Sequence, residues 1–165
     1  MADKTYNVLF VCTGNSARSI LAEALMNDLG KEQGFRAFSA GSHPRGEVNA
    51  WALKTLADHR YPTDGFRSKS WEEFATADAP HLDFVFTVCD QAAGEVCPVW
   101  PGQPMTAHWG MPDPAAVEGS DEAIRKAFLD TFITMKRRIQ LMLALPMASL
   151  DKMAIQREIK DIGTK

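Results

Sequence analysis

The sequence predicts a single α/β domain in which a mainly parallel sheet is covered by helices on both faces. Three observations carry this expectation. Strand-like and helix-like segments alternate along the chain, which is the pattern of βαβ units. Two cysteines, Cys12 and Cys89, directly follow strand-like runs, at the carboxyl edge where open α/β sheets bind ligands. The chain has 165 residues, 45% apolar and 24% charged, which suits one globular core.

The elements follow in order. Tyr6–Val11 (YNVLFV) is apolar and rich in β-favouring residues, a buried strand. Residues 12–19 (CTGNSARS) have the composition of a loop. From Ile20 the apolar positions Ile20, Leu21, Ala24, Leu25 and Leu29 fall on one helical face, and Gly30 is a stop signal. Residues 35–40 read as a second strand ending at Gly41. Val48, Trp51, Ala52 and Leu56 support a second helix, stopped near Tyr61-Pro62. A polar stretch over 63–70 precedes a helical turn over 71–74. Residues 82–88 (LDFVFTV) form a third strand, and 103–109 a weaker fourth, hemmed by Pro101, Pro104 and Pro112. Ser120-Asp121-Glu122 opens a long helix with acidic residues where the helix dipole favours them. Its buried stripe is Ile124, Phe128, Phe132, Met135, Ile139 and Met142. Pro146 ends it, and Ser149 is the expected cap of a last amphipathic helix carrying Leu150, Met153 and Ile155. The α/β domain is thus expected over 1–145, with 146–165 a helical extension of it.

Composition narrows the function. With 18 basic and 21 acidic side chains the formal charge is −3, and nothing suggests the clustered basic face of a nucleic-acid binder. The longest apolar run, 141–148, contains Pro146 and is far short of the roughly 20 residues of a membrane helix. Met1-Ala2-Asp3-Lys4 lacks the basic-then-apolar pattern of an export signal, so a cytoplasmic monomer without membrane or nucleic-acid partners is expected. Three cysteines, Cys12, Cys89 and Cys97, are too few and too odd for a disulfide framework. In a reducing compartment such thiols are catalytic, metal-binding or inert core.

The first loop is the most informative segment. A strand, a glycine-containing turn and a helix start make an anion site, because backbone N–H groups and the helix dipole both favour negative charge. A nucleotide-binding loop would need Gly-x-x-x-x-Gly-Lys-Ser/Thr, and this loop has no lysine. It has Cys12 at its first position and Arg18 at its end. A thiol in such a cradle is expected to ionise readily. Arg18 offers a planar fork for two oxygens of a tetrahedral oxyanion. A buried strand-end cysteine and a surface arginine would give the same bare spacing, but placement between strand and helix, with Gly14, Asn15, Ser16 and Ser19, favours the anion site.

Residues 8–19 (VLFVCTGNSARS), with Ala22-Glu23 after them, resemble the low-molecular-weight tyrosine phosphatase superfamily, and within it the arsenate reductase branch of the thioredoxin-linked type. Phe38-Ser39-Ala40-Gly41, His108-Trp109-Gly110 and Asp113-Pro114-Ala115 also match, so the resemblance runs to about Leu145. It implies a four-stranded parallel sheet flanked by helices. It also implies an oxyanion site from Thr13, Gly14, Asn15, Ser16, Ala17 and Arg18, with Ser19 steadying the Cys12 thiolate. Asp113, between Pro112 and Pro114, could be a simple turn aspartate. Beside the Cys12 loop and the family pattern it is the expected general acid.

Cys89 and Cys97 bracket a segment without Cys-x2-Cys or clustered histidines, which disfavours zinc. The functional reading is a redox relay, in which a thiolate attacks a partner sulfur and the disulfide is passed outward. The similar thioredoxin-linked reductases keep a cysteine pair here, and a phosphatase has no use for one. The alternative is a low-molecular-weight phosphatase acting through a phosphocysteine. Its features are thin, since Ala115-Ala116 stand where such enzymes carry tyrosines. The resemblance implies arsenate as substrate, phosphate or sulfate as competing anions, no tightly bound cofactor, and thioredoxin or a glutathione/glutaredoxin system as reductant. Asn15, Glu23 and Ser39 match the family's potassium site, but Ser70 stands where an acidic ligand is expected, leaving potassium open. His108 and Trp109 either shape the acid loop or pack in the core; His43, His59 and His81 read as surface or turn residues.

Overall fold

Val8, Leu9, Phe10 and Val11 are all buried, so the strand they form must lie inside a sheet covered on both faces. The computed structural model describes residues 5–89, 100 and 102–165, and it places this strand, β1 (Tyr6–Val11), centrally. Strand β2 (Phe35–Ala40) pairs on one side and β3 (Phe84–Thr87) on the other, and β4 (Met105–His108) lies beyond β3. All pairings are parallel, in the order β2-β1-β3-β4, with Tyr6 opposite Phe35, Val8 opposite Phe84, and Phe84 opposite Met105. The third and fourth strands are shorter than the runs 82–88 and 103–109 suggest. Gln103 takes a left-handed backbone (φ 50°), a turn geometry that delays pairing until Met105.

Helix α1 (Arg18–Leu29) packs on β1 and β2, and α2 (Ala50–Asp58) starts at Asn49, whose side chain accepts the Trp51 and Ala52 amides. The long helix α3 (Asp121–Leu143) is capped by Ser120, which accepts the Ala123 amide. Phe128, Phe132, Met135, Ile139 and Met142 bury its expected stripe, whereas Ile124 is only half-buried. The methionines there are core packing.

The last helix, α4 (Lys152–Ile162), corrects one expectation. Ser149 lies in a 3₁₀ turn (Met147–Ser149), and the cap is Asp151, whose carboxylate accepts the Ala154 amide at 2.8 Å. A carboxylate both bonds the open amide and complements the helix dipole, so it outcompetes the hydroxyl two residues earlier. The buried face is accordingly Ile155, Ile159 and Ile162, with Met153 exposed and Leu150 ahead of the helix. This helix packs against β4 and α3. Trp109, fully buried, stacks on Phe86 at 4.0 Å between ring centres and donates its indole N–H to Ile159 O.

Three strand ends then deliver chemistry to one edge. The Cys12 amide bonds Ala40 O, the Val88 amide bonds Val11 O, and the Trp109 amide bonds Thr87 O. These ladder extensions carry residues 12–18, Cys89 and the 111–113 segment to a common rim. Among the described residues, no helix is long and apolar enough to cross a membrane, and no three His, Cys, Asp or Glu side chains gather to hold a metal ion.

Candidate active site

The loop after β1 has its carbonyls engaged from outside. Thr13 O accepts the His43 amide, Gly14 O accepts the Arg45 amide and the Ser68 hydroxyl, and Ser16 O accepts the Asn49 amide. No peptide among the described residues is cis, and in a trans peptide the N–H opposes the C=O. The amides of Gly14, Asn15 and Ala17 are therefore turned the other way, into the loop. Ala17 begins α1 without any side-chain cap, and no acidic residue occupies the helix's first turn. Open amides and an uncompensated helix N-terminus are what an oxyanion requires.

Asn15 sets this curvature. It holds a left-handed backbone (φ 44°) and is fully buried, a conformation that asparagine tolerates better than most residues. Its amide nitrogen donates to Ser19 Oγ at 2.9 Å, and its Oδ1 accepts the Lys69 amide at 2.9 Å. The buried Ser19 hydroxyl thus serves Asn15 as an acceptor and keeps its own proton to donate.

Arg18 reaches across to the loop that carries Asp113. Its Nη1 donates to Met111 O at 3.0 Å, and its Nη2 lies 3.6 Å from Asp113 Oδ2. Its Nε is buried and has no hydrogen-bond partner. Asp113 Oδ1 accepts the Ala115 amide at 3.0 Å, which fixes the carboxyl at the head of a short turn (Pro114–Ala116). Behind it, Arg138 donates to Trp109 O and Gly110 O and anchors the approach to that loop. His108 instead meets Thr87 Oγ1, while His59 stacks on Phe132.

The two described cysteines meet. Both are buried and neither is in a disulfide. The Thr13 amide donates to Cys89 Sγ at 3.3 Å, and the Cys89 thiol is hydrogen-bonded to Cys12. That hydrogen bond, with burial second, pushes the Cys12 thiol well above its ordinary value; Arg18 and the Gly14 N–H pull the other way. The free ionisation expected from the loop alone is thus opposed by Cys89, a neighbour distant in sequence that follows β3. Cys97, the third expected thiol, lies outside the described residues.

Sequence reasoning missed the segment 67–70. Ser68 and Lys69 touch the loop, and Gly41 and Ser70 form an isolated parallel bridge. Nothing in that polar stretch marks it as structural. The oxygens that the resemblance assigns to potassium are engaged within the protein here. Asn15 Oδ1 is taken by the Lys69 amide, Glu23 Oε1 by the Ser39 hydroxyl at 2.5 Å, and Ser70 Oγ by the Glu72 amide. The cation facing Glu23 is Lys69 Nζ, at 4.0 Å.

Known proteins agree with this geometry. The family model described as low molecular weight phosphotyrosine protein phosphatase matches residues 7–155. An arsenate reductase of Halalkalibacterium halodurans is 37% identical over 116 residues, 70% of this chain and 78% of that protein. The structure of an arsenate reductase in the phosphate-binding state superposes with a TM-score of 0.66 at 26% identity, covering 85% of this chain and 98% of that one. A thioredoxin-dependent arsenate reductase of Corynebacterium glutamicum superposes with a TM-score of 0.57 at 25% identity, covering 86% of this chain and 65% of that one. The family model over residues 7–155, with these relatives, shows that the chain belongs to the low molecular weight phosphotyrosine protein phosphatase family.

Proposed function

We propose that this chain reduces arsenate to arsenite with its own thiols. Arsenate is held by the loop amides of residues 13–17 and by Arg18, whose buried, unpartnered Nε supplies a further donor. Cys12 sulfur bonds to arsenic, and a departing arsenate oxygen takes the Asp113 proton and leaves as water. Cys89 then attacks Cys12: a sulfur–sulfur bond forms, the sulfur–arsenic bond breaks, and its electron pair stays on arsenic, which leaves as arsenite. Two thiolates have lost one electron each and arsenic has gained two. Cys97 attacks Cys89, frees Cys12, and leaves a Cys89–Cys97 disulfide for an external dithiol to reduce. Thioredoxin or a glutathione/glutaredoxin system fills that role in the cytoplasm, with the chain acting as a monomer and phosphate or sulfate competing for the loop.

The observation that carries this reading is the Cys12–Cys89 contact over the Thr13 amide. A phosphatase needs Cys12, Arg18 and Asp113 but no second thiol on its nucleophile. The same contact gates the chemistry. With Cys89 against it, Cys12 keeps its proton; when Cys89 turns away, the largest influence against the thiolate is lost, leaving Arg18 and the Gly14 N–H, which favour it, opposed by burial alone.

The test is intact-protein mass spectrometry after arsenate is added without reductant. The expected result is loss of two hydrogen masses with arsenite released. Cys12→Ser abolishes all reaction, while Cys89→Ser or Cys97→Ser stops multiple turnover. An unchanged mass with arsenate unconsumed would refute the cascade, and full turnover by Cys89→Ser on a phosphate ester would establish a phosphatase instead.

A further inference from the structure

Lys69 is a buried cation without an obvious surface role. Its side chain is 8% exposed, and its Nζ donates to Arg67 O at 3.1 Å and faces Glu23 Oε1 at 4.0 Å. Glu23, 15% exposed, sits on α1 and takes the Ser39 hydroxyl from β2. Burial pushes Glu23 toward its neutral form and Lys69 likewise, and prevails at both; the Ser39 hydroxyl and then Lys69 oppose it at Glu23, and Glu23 opposes it at Lys69. The same residue's backbone amide is bonded to Asn15 Oδ1, on the residue whose left-handed backbone bends the oxyanion loop. One residue thus meets, with two different groups, two of the oxygens that a cation bound behind the loop would need.

We propose that the Lys69 ammonium is the resident cation of this loop: ion-paired to Glu23 beside Ser39, it holds the 67–70 segment against Asn15 and makes oxyanion binding independent of potassium. Lys69 is a positioning residue. It acts through Glu23 on α1 and through Asn15 on the loop, and never on the reacting atoms. The Ser70 substitution noted in the sequence is then explained, because an acidic fourth ligand has no purpose where the cation is already covalently attached. Ser70 caps the turn Trp71–Phe74 instead.

The proposal rests on the loop being an oxyanion site, and inorganic phosphate is the probe. Phosphate dissociation constants and thermal midpoints are measured on the full chain in KCl, LiCl and choline chloride at equal ionic strength. The wild-type chain is expected to behave alike in all three. Lys69→Ala is expected to bind phosphate about tenfold more weakly in choline or lithium, the scale of one lost coupled contact. It should recover affinity and thermal midpoint in potassium, where the vacated space and the Glu23 carboxylate accept the ion. Lys69→Arg should retain wild-type affinity in choline. A wild-type affinity or midpoint that depends on potassium overturns the proposal, as does undiminished phosphate binding by Lys69→Ala in choline or a loss that potassium does not restore. Should Lys69→Ala fail to fold, Lys69→Met keeps the stem without the charge, and unchanged phosphate affinity in that variant overturns the proposal equally. Absence of phosphate binding by the wild-type chain in every salt overturns the oxyanion-loop reading itself, and this proposal with it.

Discussion

At the scale of single residues, Cys12 is held between opposed influences, of which the Cys89 hydrogen bond is the largest and burial the next. Arg18 and the Gly14 amide favour its thiolate; the Cys89 thiol and burial favour its protonated form and prevail. A thiol restrained in this way reacts slowly with small alkylating agents at neutral pH, because little thiolate is present. The sign follows directly. Removing the hydrogen bond that raises the thiol lowers its titration, so Cys89→Ala should move the midpoint of Cys12 alkylation by iodoacetamide to lower pH. Alkylation followed by mass spectrometry from pH 6 to 10 checks this, and a midpoint that stays in place would mean that Cys89 does not control Cys12. The placement of Cys12 and Arg18 at the two ends of one strand-to-helix loop was legible from element order alone. The restraint by Cys89 was not, since a sequence places a strand end but not the direction in which a thiol points.

At the scale of elements, the loop depends on segments packed around it. Gly41, just past β2, has no room for a side chain: an added Cβ would stand 2.5 Å from Thr13 O and 2.8 Å from Cys12 O. Both obstacles are backbone of the loop after β1, so neither can swing aside. Gly41→Ala should therefore displace the loop, at a cost of about 1–3 kcal/mol by analogy with overpacked cores. Urea denaturation should read that loss, together with weakened phosphate binding. Retained stability and affinity would show that the loop is more yielding than its hydrogen bonds imply. The element order was readable from periodicity, down to the capped start of α3. The 67–70 segment was not, because its contacts with the loop span 54 residues and its composition is merely polar.

At the scale of the whole molecule, the final twenty residues close the domain over β4. Ile155, Ile159 and Ile162 are buried against it, and Ile159 O receives the Trp109 indole. The chain's end also returns to α3, where Arg137 bonds Lys165 O. Each isoleucine buried contributes about 1.5–3 kcal/mol, so a chain ending at Leu145 should lose several kcal/mol and expose Trp109. A lowered urea midpoint with red-shifted tryptophan fluorescence is the expected result. An unchanged midpoint would mean that residues 146–165 only rest on a self-sufficient domain. Arg138, bonded to Trp109 O and Gly110 O, extends the consequence to the Asp113 loop.

What the sequence alone determined was local placement: a cysteine, a glycine and an arginine between one strand and one helix, readable because all lie within one short run of chain. It also determined the core stripes, since the 3.6-residue period follows from helix geometry. Tertiary structure alone decided which thiol restrains Cys12, which cation faces Glu23, and which carboxylate caps α4. The first two join residues dozens of positions apart, brought together only when parallel strands align their carboxyl ends. The third is a competition between two nearby caps, won by the group whose charge suits the helix end.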